Sequence, residues 1–188
     1  MSIRIAALSL LLLTACKKAP PMRESVLQLR ELTELATTEY TLTKIVKASD
    51  DQTWYKMGER RILISCKAVV KAGIDLSGLK DSDFKTNGDG ISLTLPPAKI
   101  LSLDIRPEDI RTEFQEVGVF RSEFSAEERN RLMQQAEARI REQAVETGIL
   151  RTAEANASLV IGNLLQRMGY KTVDIGFGKA NTNTQPLD

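Results

Sequence analysis

Histidine is missing from all 188 residues of this chain. Its absence removes Ser-His-Asp and Cys-His catalytic pairs and every imidazole-ligated metal site. Cysteine is nearly missing as well. The two that occur, Cys16 and Cys66, are too few for a four-thiolate zinc site or a disulfide framework. Neither sign of charge is in excess. With 26 Lys and Arg against 25 Asp and Glu, the chain lacks the positive balance that a phosphate backbone selects, so no nucleic-acid partner is expected. Aromatic residues make up 5%, with one tryptophan. No apolar run approaches the roughly 20 residues of a membrane-spanning helix. What remains is a length suited to a single hydrophobic core.

The longest apolar run stands at the start. Ile5-Ala6-Ala7-Leu8-Ser9-Leu10-Leu11-Leu12-Leu13 lies between Arg4 and Thr14-Ala15-Cys16. A short apolar segment behind a basic residue reads as a secretory signal. Leu13-Thr14-Ala15-Cys16 resembles a bacterial lipobox, in which the chain is cut before the cysteine and the thiol is lipidated. The expectation is a cleaved signal peptide over 1–15 and a lipid on Cys16. The alternative is an ordinary signal peptide followed by an unmodified cysteine. Each buried methylene contributes about 0.8 kcal/mol, and a single acyl chain holds only marginally. The two or three chains that the resemblance implies would hold permanently. Lys17 and Lys18 either touch anionic headgroups or stay solvated. Ala19-Pro20-Pro21 is a stiff spacer, so 16–22 reads as a tether. The expected location is the bacterial cell envelope, lipid-anchored and facing the periplasm. Lys17 stands where enteric inner-membrane lipoproteins carry Asp, which tilts the expectation toward the outer membrane.

The rest reads as one domain over 23–178 with a polar tail over 179–188. Val26, Leu29, Leu32 and Leu35 or Ala36 are spaced for a short helix over Met22–Ala36. Thr37–Ala48 is rich in strand formers, with a bulge expected at Ile45-Val46. Trp54-Tyr55 is placed at the start of a further strand before Gly58. Ile62, Ile64, Cys66, Ala68 and Val70 repeat with a period of two, which makes Cys66 a small buried hydrophobe in a strand that Gly73 interrupts. Asp75–Asp83 reads as loop, and Asn87-Gly88-Asp89-Gly90 as a turn. Ile91–Leu95 and Ile100–Ile105 alternate, and Pro107–Phe120 fits either element. Ser125-Ala126-Glu127-Glu128 is a capping box. It opens a helix with Leu132, Ala136, Ile140 and Ala144 on one face. Gly148 ends that helix, and a second runs from Leu150 to Met168 before a strand at Tyr170–Phe177. The expected fold class is α+β: an antiparallel or mixed sheet of about five strands, a short N-terminal helix, two C-terminal helices and a returning strand.

Four stretches resemble the bacterial family called domain of unknown function 4230. They are Glu34-Leu35-Ala36-Thr37-Thr38-Glu39-Tyr40, Val70-Lys71-Ala72-Gly73-Ile74-Asp75-Leu76, Leu95-Pro96-Pro97-Ala98-Lys99-Ile100-Leu101, and Gly148-Ile149-Leu150 followed by Ala153-Glu154-Ala155-Asn156-Ala157. The similarity runs from about Leu29 to Phe177. It implies a membrane-anchored protein, held by an N-terminal helix or a lipid, with its domain outside the cytoplasm. It brings no catalytic residues. The strand-then-helix order and the Gly169-Tyr170 return to Val173 and Ile175 are also similar to the stomatin and prohibitin domain, as an analogy of fold alone.

Residues able to carry chemistry have simpler readings. Asp81, Asp83, Asn87 and Asp89 suggest a calcium loop, but Lys85 and Ser92 stand where such a loop needs an oxygen ligand and a glutamate. Glu108-Asp109 and Glu127-Glu128 sit at helix starts, where carboxylates favour the dipole. Arg129, Arg131, Arg139 and Arg141 alternate with acids at salt-bridge spacing. Trp54 and Tyr55 are either core or a partner contact. The chain is expected not to be an enzyme and to use no metal or cofactor. Two functions remain: a protein-interaction or assembly module, with a protein partner or a second copy, and a carrier or sensor of an apolar ligand or lipid. A filled core with outward apolar groups favours the first, and a deep apolar cavity the second.

Overall fold

The computed structural model describes residues 22–50 and 58–179. The expected signal peptide with Cys16, the Trp54-Tyr55 pair and the tail from residue 180 lie outside the described residues.

The chain enters as α1 (Met22–Glu31), shorter than its apolar spacing suggested. Thr33 explains the stop. It takes φ +50, and its carbonyl accepts the Leu76 N–H at 2.7 Å, which hands the chain to a sheet. Leu35 and Ala36 therefore belong to β1 (Glu34–Asp50), and Leu32 is left exposed. β1 pairs antiparallel along its length with β2 (Arg60–Asp75).

The bulge expected at Ile45-Val46 is absent. Side chains alternate without a break from Tyr40 to Ala48, with Ile45 outward and Val46 inward. The register shift lies instead between Ala36 and Thr38. Gly73 does not interrupt β2 either. The strand runs through it to Asp75, and the glycine serves a close approach: a Cβ there would lie 2.0 Å from the Leu35 carbonyl oxygen.

β2 is the centre of the first sheet. Beyond it lie β5 (Lys99–Asp104), paired with Val69–Gly73, and β6 (Ile110–Val117), paired with Arg60–Cys66. A 3-10 turn at Pro107–Asp109 joins them, which resolves the ambiguous stretch as turn, then strand. The second sheet holds β3 (Phe84–Asn87), β4 (Gly90–Leu95) and β7 (Thr172–Phe177). β3 and β4 form a hairpin with positive φ at Gly88 alone of its two loop residues, the II′ pattern. β7 returns from the far end of the chain to pair parallel with β4. The class is α+β, and the described residues contain seven strands in two sheets.

The two long helices follow their sequence signals closely. In α2 (Ala126–Glu146) the Ser125 hydroxyl accepts the Glu128 N–H at 3.2 Å, and the Glu128 carboxylate accepts the Ser125 N–H at 2.8 Å. Leu132, Ala136, Ile140 and Ala144 are its buried residues. Gly148, at φ +85, turns the chain into α3 (Ile149–Arg167), which buries Ile149, Ala153, Ala157, Ile161 and Leu165. α3 ends in a Schellman motif. The Tyr170 N–H donates to the Leu165 carbonyl at 3.2 Å and the Gly169 N–H to Gln166 at 3.0 Å. Tyr170 is thereby buried, with its hydroxyl 3.1 Å from the Ser25 hydroxyl of α1.

α3 lies between the sheets, touching β1 and β2 on one side and β7 on the other. Its alanines bring it close to the strands: Thr37 Oγ1 donates to the Ala153 carbonyl at 2.9 Å, and Asn156 Nδ2 to the Thr37 carbonyl at 3.0 Å. α2 contacts β1 more than it contacts α3, so the small residues serve helix–sheet approach rather than helix–helix approach. One core joins all three helices and both sheets. A smaller cluster of Ile62, Ile64, Phe124 and Leu132 fills the end of the β1–β2 pair where β2 starts.

Gly73→Ala is expected to destabilise the fold by at least about 2 kcal/mol, since a methyl group there meets backbone that cannot move aside. Gly78→Ala, with nothing within 4 Å, should change stability by less than about 1 kcal/mol. Urea denaturation of both variants checks the contrast.

Candidate functional site

The residues with chemical potential are occupied in holding the fold. Cys66 is fully buried, its thiol 3.4 Å from the Lys44 carbonyl oxygen it donates to. Burial pushes its pKa up, which suits a packing residue and not a nucleophile. Asp81 lies 3.8 Å from Arg30, and Asp83 accepts the Lys80 N–H at 2.8 Å. Asp89 pairs with Lys171 at 2.6 Å, the residue just before β7. The acids of the calcium-like loop are thus spread over separate partners. Among the described residues no three His, Cys, Asp or Glu side chains gather as a metal site.

The acid pairs and the basic stripe resolve in the same way. Glu108-Asp109 starts no longer helix: Asp109 ends the three-residue 3-10 turn and its carboxylate pairs with Arg106 at 2.7 Å. Arg139 pairs with Glu142 at 3.0 Å, and Arg141 with Glu137 at 3.3 Å. Arg129 donates to Gln115 Oε1 at 2.9 Å, tying α2 to β6.

Two carboxylates hold the ends of β2. At its start Glu128 forms a two-pronged pair with Arg60, whose guanidinium also lies 4.5 Å over the Phe124 ring. The hydrogen bond from Arg60, then the backbone bond from Ser125, lower Glu128 from 4.5 to about 2. At the other end Lys99 reaches Asp75 at 2.8 Å, and this bond, then those from Ser77, lower Asp75 from 3.8 to about 2.

The Arg60 end also carries apolar surface. The Gly118 N–H donates to the Glu59 carbonyl at 2.9 Å, and Arg121 N–H closes a turn onto the Gly118 carbonyl at 2.9 Å. The two corner residues of this turn, Val119 and Phe120, are 94% and 76% exposed. Turn corners favour Gly, Pro, Asn, Asp and Ser, so two apolar side chains there need a reason. Beside the turn, on the outward face of the first sheet, Phe114 is 45% exposed and pairs with Leu63. Lys47, Ser49 and Arg61 join them around a shallow cleft of about 400 Å³. Sequence reasoning did not single out Val119 and Phe120. The signal was an apolar pair between Gly118 and Arg121, hidden while the stretch remained unassigned. The expected contact residues Trp54 and Tyr55 lie outside the described residues.

These features define an α+β domain. The family described as "Protein of unknown function (DUF4230)" matches residues 27–175, and the chain belongs to that family. No curated protein and no solved structure matches it. Among the described residues no helix is long and apolar enough to cross a membrane.

Glu128 and Asp75 set an acid dependence. A carboxylate lowered in the folded state stabilises above its ordinary value and loses that contribution as pH falls through its folded value. The thermal midpoint should hold from neutrality down to pH 5 and fall from about 4.5 toward 2. Replacing both, as Glu128→Gln with Asp75→Asn, should lower the midpoint at pH 7 and flatten the acid limb. An unchanged acid limb in the double variant would show that other carboxylates govern it.

Proposed function

We propose that this chain is a lipid-anchored cell-envelope protein, held through Cys16 and facing the periplasm, that serves as a non-catalytic protein-interaction or assembly module. The observation that carries the interaction reading is the exposed Val119-Phe120 corner beside a filled interior. Among the described residues, side chains of all three helices and both sheets meet in one core, and the clefts on α2, beside the β3–β4 hairpin and beside Phe114 open to the surface. An apolar-ligand carrier needs an enclosed apolar cavity, so that reading takes second place.

Anchor and corner suit opposite ends of the domain. α1 begins six residues after Cys16 and delivers the chain to the start of β1. The corner adjoins the other end of the hairpin. A strand rises about 3.3 Å per residue, so the two ends are roughly 50 Å apart. A tether at the base would therefore hold the apolar corner well away from the membrane that anchors it. The outer membrane remains the preferred location on the strength of Lys17.

Two experiments test the parts separately. In intact cells, a photo-crosslinking residue at position 120 of the full chain should capture a protein adduct. Recovery of monomer alone, from position 119 as well as 120, would sink the interaction reading. Phe120→Ser should abolish contact while changing stability by no more than about 0.5 kcal/mol. For the anchor, Cys16→Ala should leave an uncut chain that incorporates no fatty-acid label. Labelling equal to that of the parent would refute lipid attachment at Cys16.

A further inference from the structure

We propose that two copies of this chain join through the outer edge of β1, antiparallel, about a two-fold axis at Thr43. The inference rests on the interaction-module reading and names a partner for it.

Among the described residues β1 pairs with β2 alone, so its other edge carries no strand. α3 takes the start of that edge, where Asn156 Nδ2 donates to the Thr37 carbonyl at 3.0 Å and to Thr38 Oγ1 at 3.1 Å. From Glu39 to Ser49 the strand continues without proline and without a register shift. Short length, bulges and proline are common protections of an open edge, and this stretch has none of them. Its composition favours further pairing: Tyr40, Thr41, Thr43, Ile45 and Val46 are all strand formers. Lysine is another common edge guard, and two lysines occur here. Lys44 points inward, 3.5 Å from Gln143 Oε1 of α2. Lys47 points outward, on the same face as Glu39.

Glu39 and Lys47 select the partner and the register. Residues opposed in an antiparallel pair face the same side of the sheet, and a slip of one residue would turn buried side chains outward. A two-fold axis at Thr43 keeps the faces matched. It sets Glu39 of each copy across from Lys47 of the other, and Thr41 across from Ile45. Centring on Leu42 instead sets Glu39 against Ile45, and centring on Lys44 sets it against Ser49. Only the Thr43 axis complements both charges, and it does so twice. Glu39 already lies 3.6 Å from Lys71 on β2, and the second copy's Lys47 would flank it on its open side. The charge that guards this edge against other strands thus admits a second copy of the same one.

Cysteine substitution in the full chain tests the axis, since Thr43 and Thr41 are both exposed. With the axis at Thr43, Thr43→Cys faces itself across strands about 5 Å apart, within the range that a disulfide bridges. Thr41→Cys faces Ile45, and its own copy lies roughly 13 Å away along the strand, too far to bridge. Mild oxidation of cells producing each variant should give a disulfide dimer with Thr43→Cys, several-fold above both Thr41→Cys and the parent chain. Adding Glu39→Lys to Thr43→Cys should lower the yield several-fold. Adding Lys47→Glu as well should restore it. Thermal unfolding matched to the parent shows that each variant is folded. Equal yields from Thr43→Cys and Thr41→Cys, or a yield indifferent to both charge changes, would overturn edge pairing. Crosslinks from position 120 alongside such a result would overturn edge pairing alone and leave the interaction-module reading standing.

Discussion

Everything in the fold leans on β2. It is paired on both edges, and its inward side chains from Ile62 to Ile74 are almost wholly excluded from water. Their sizes change along the strand. Ile62 and Ile64 stand at the end where Phe124 and Leu132 fill the space beneath the sheet. Ala68 and Ala72 stand further along, in the core that Ala153 and Ala157 of α3 share. Small residues on both partners reduce the distance between helix and sheet, and the shorter distance lets side-chain hydrogen bonds reach across it. Thr37 to Ala153 and Asn156 to Thr37 are bonds of this kind. Gly73 is sensitive for a separate reason: a Cβ there would meet the Leu35 carbonyl and Ala36 of β1, and backbone cannot yield as side-chain ends can.

α3 transmits the order of the first sheet to the second. Its C-terminal Schellman turn buries Tyr170, and the next residue's N–H bonds the Asp89 carbonyl at 2.8 Å. β7 is thereby aimed along β4. Parallel pairing between strands so distant in sequence is costly in chain entropy, and a helix docked on both sheets reduces what must be searched. The ion pairs at the ends of β2 act at a different level. They are only partly buried, so their contribution is moderate and depends on pH, whereas the apolar packing between them does not.

What was legible in the sequence follows from how local each signal is. α2 and α3 were readable because fourfold spacing, a capping box and glycine stops all sit within a few residues of what they determine. β2 was readable by its period of two. The extent of α1 was not, because its end is decided by the Leu76 N–H, just past the end of β2 and far along the chain, donating to the Thr33 carbonyl. Gly73 looked like a break because the reason for a glycine there is the carbonyl of Leu35, which the local sequence does not show. β3 was missed for a simpler reason. It has four residues, and only Phe84 is buried, so there is no alternation to read. The apolar corner was hidden for a related reason: Val119 and Phe120 look like strand residues until Gly118 is seen to turn.

The length of the β1–β2 pair sets what the fold can hold apart. A chain without histidine has no imidazole to bring to a site. It has instead a two-stranded ribbon of 17 and 16 residues, stiffened on one face by helices. Such a ribbon fixes separation and direction. Its base receives the chain from α1, its far end presents an apolar corner, and its long side offers unpaired backbone with complementary charge. Each of these is a contact feature, and none requires the protein to change a bond. A rigid spacer is useful where two things must be held apart and oriented, as the proposed tether at Cys16 would require. The dominance of β2 thus argues for a fold that holds its surfaces at a fixed separation and direction.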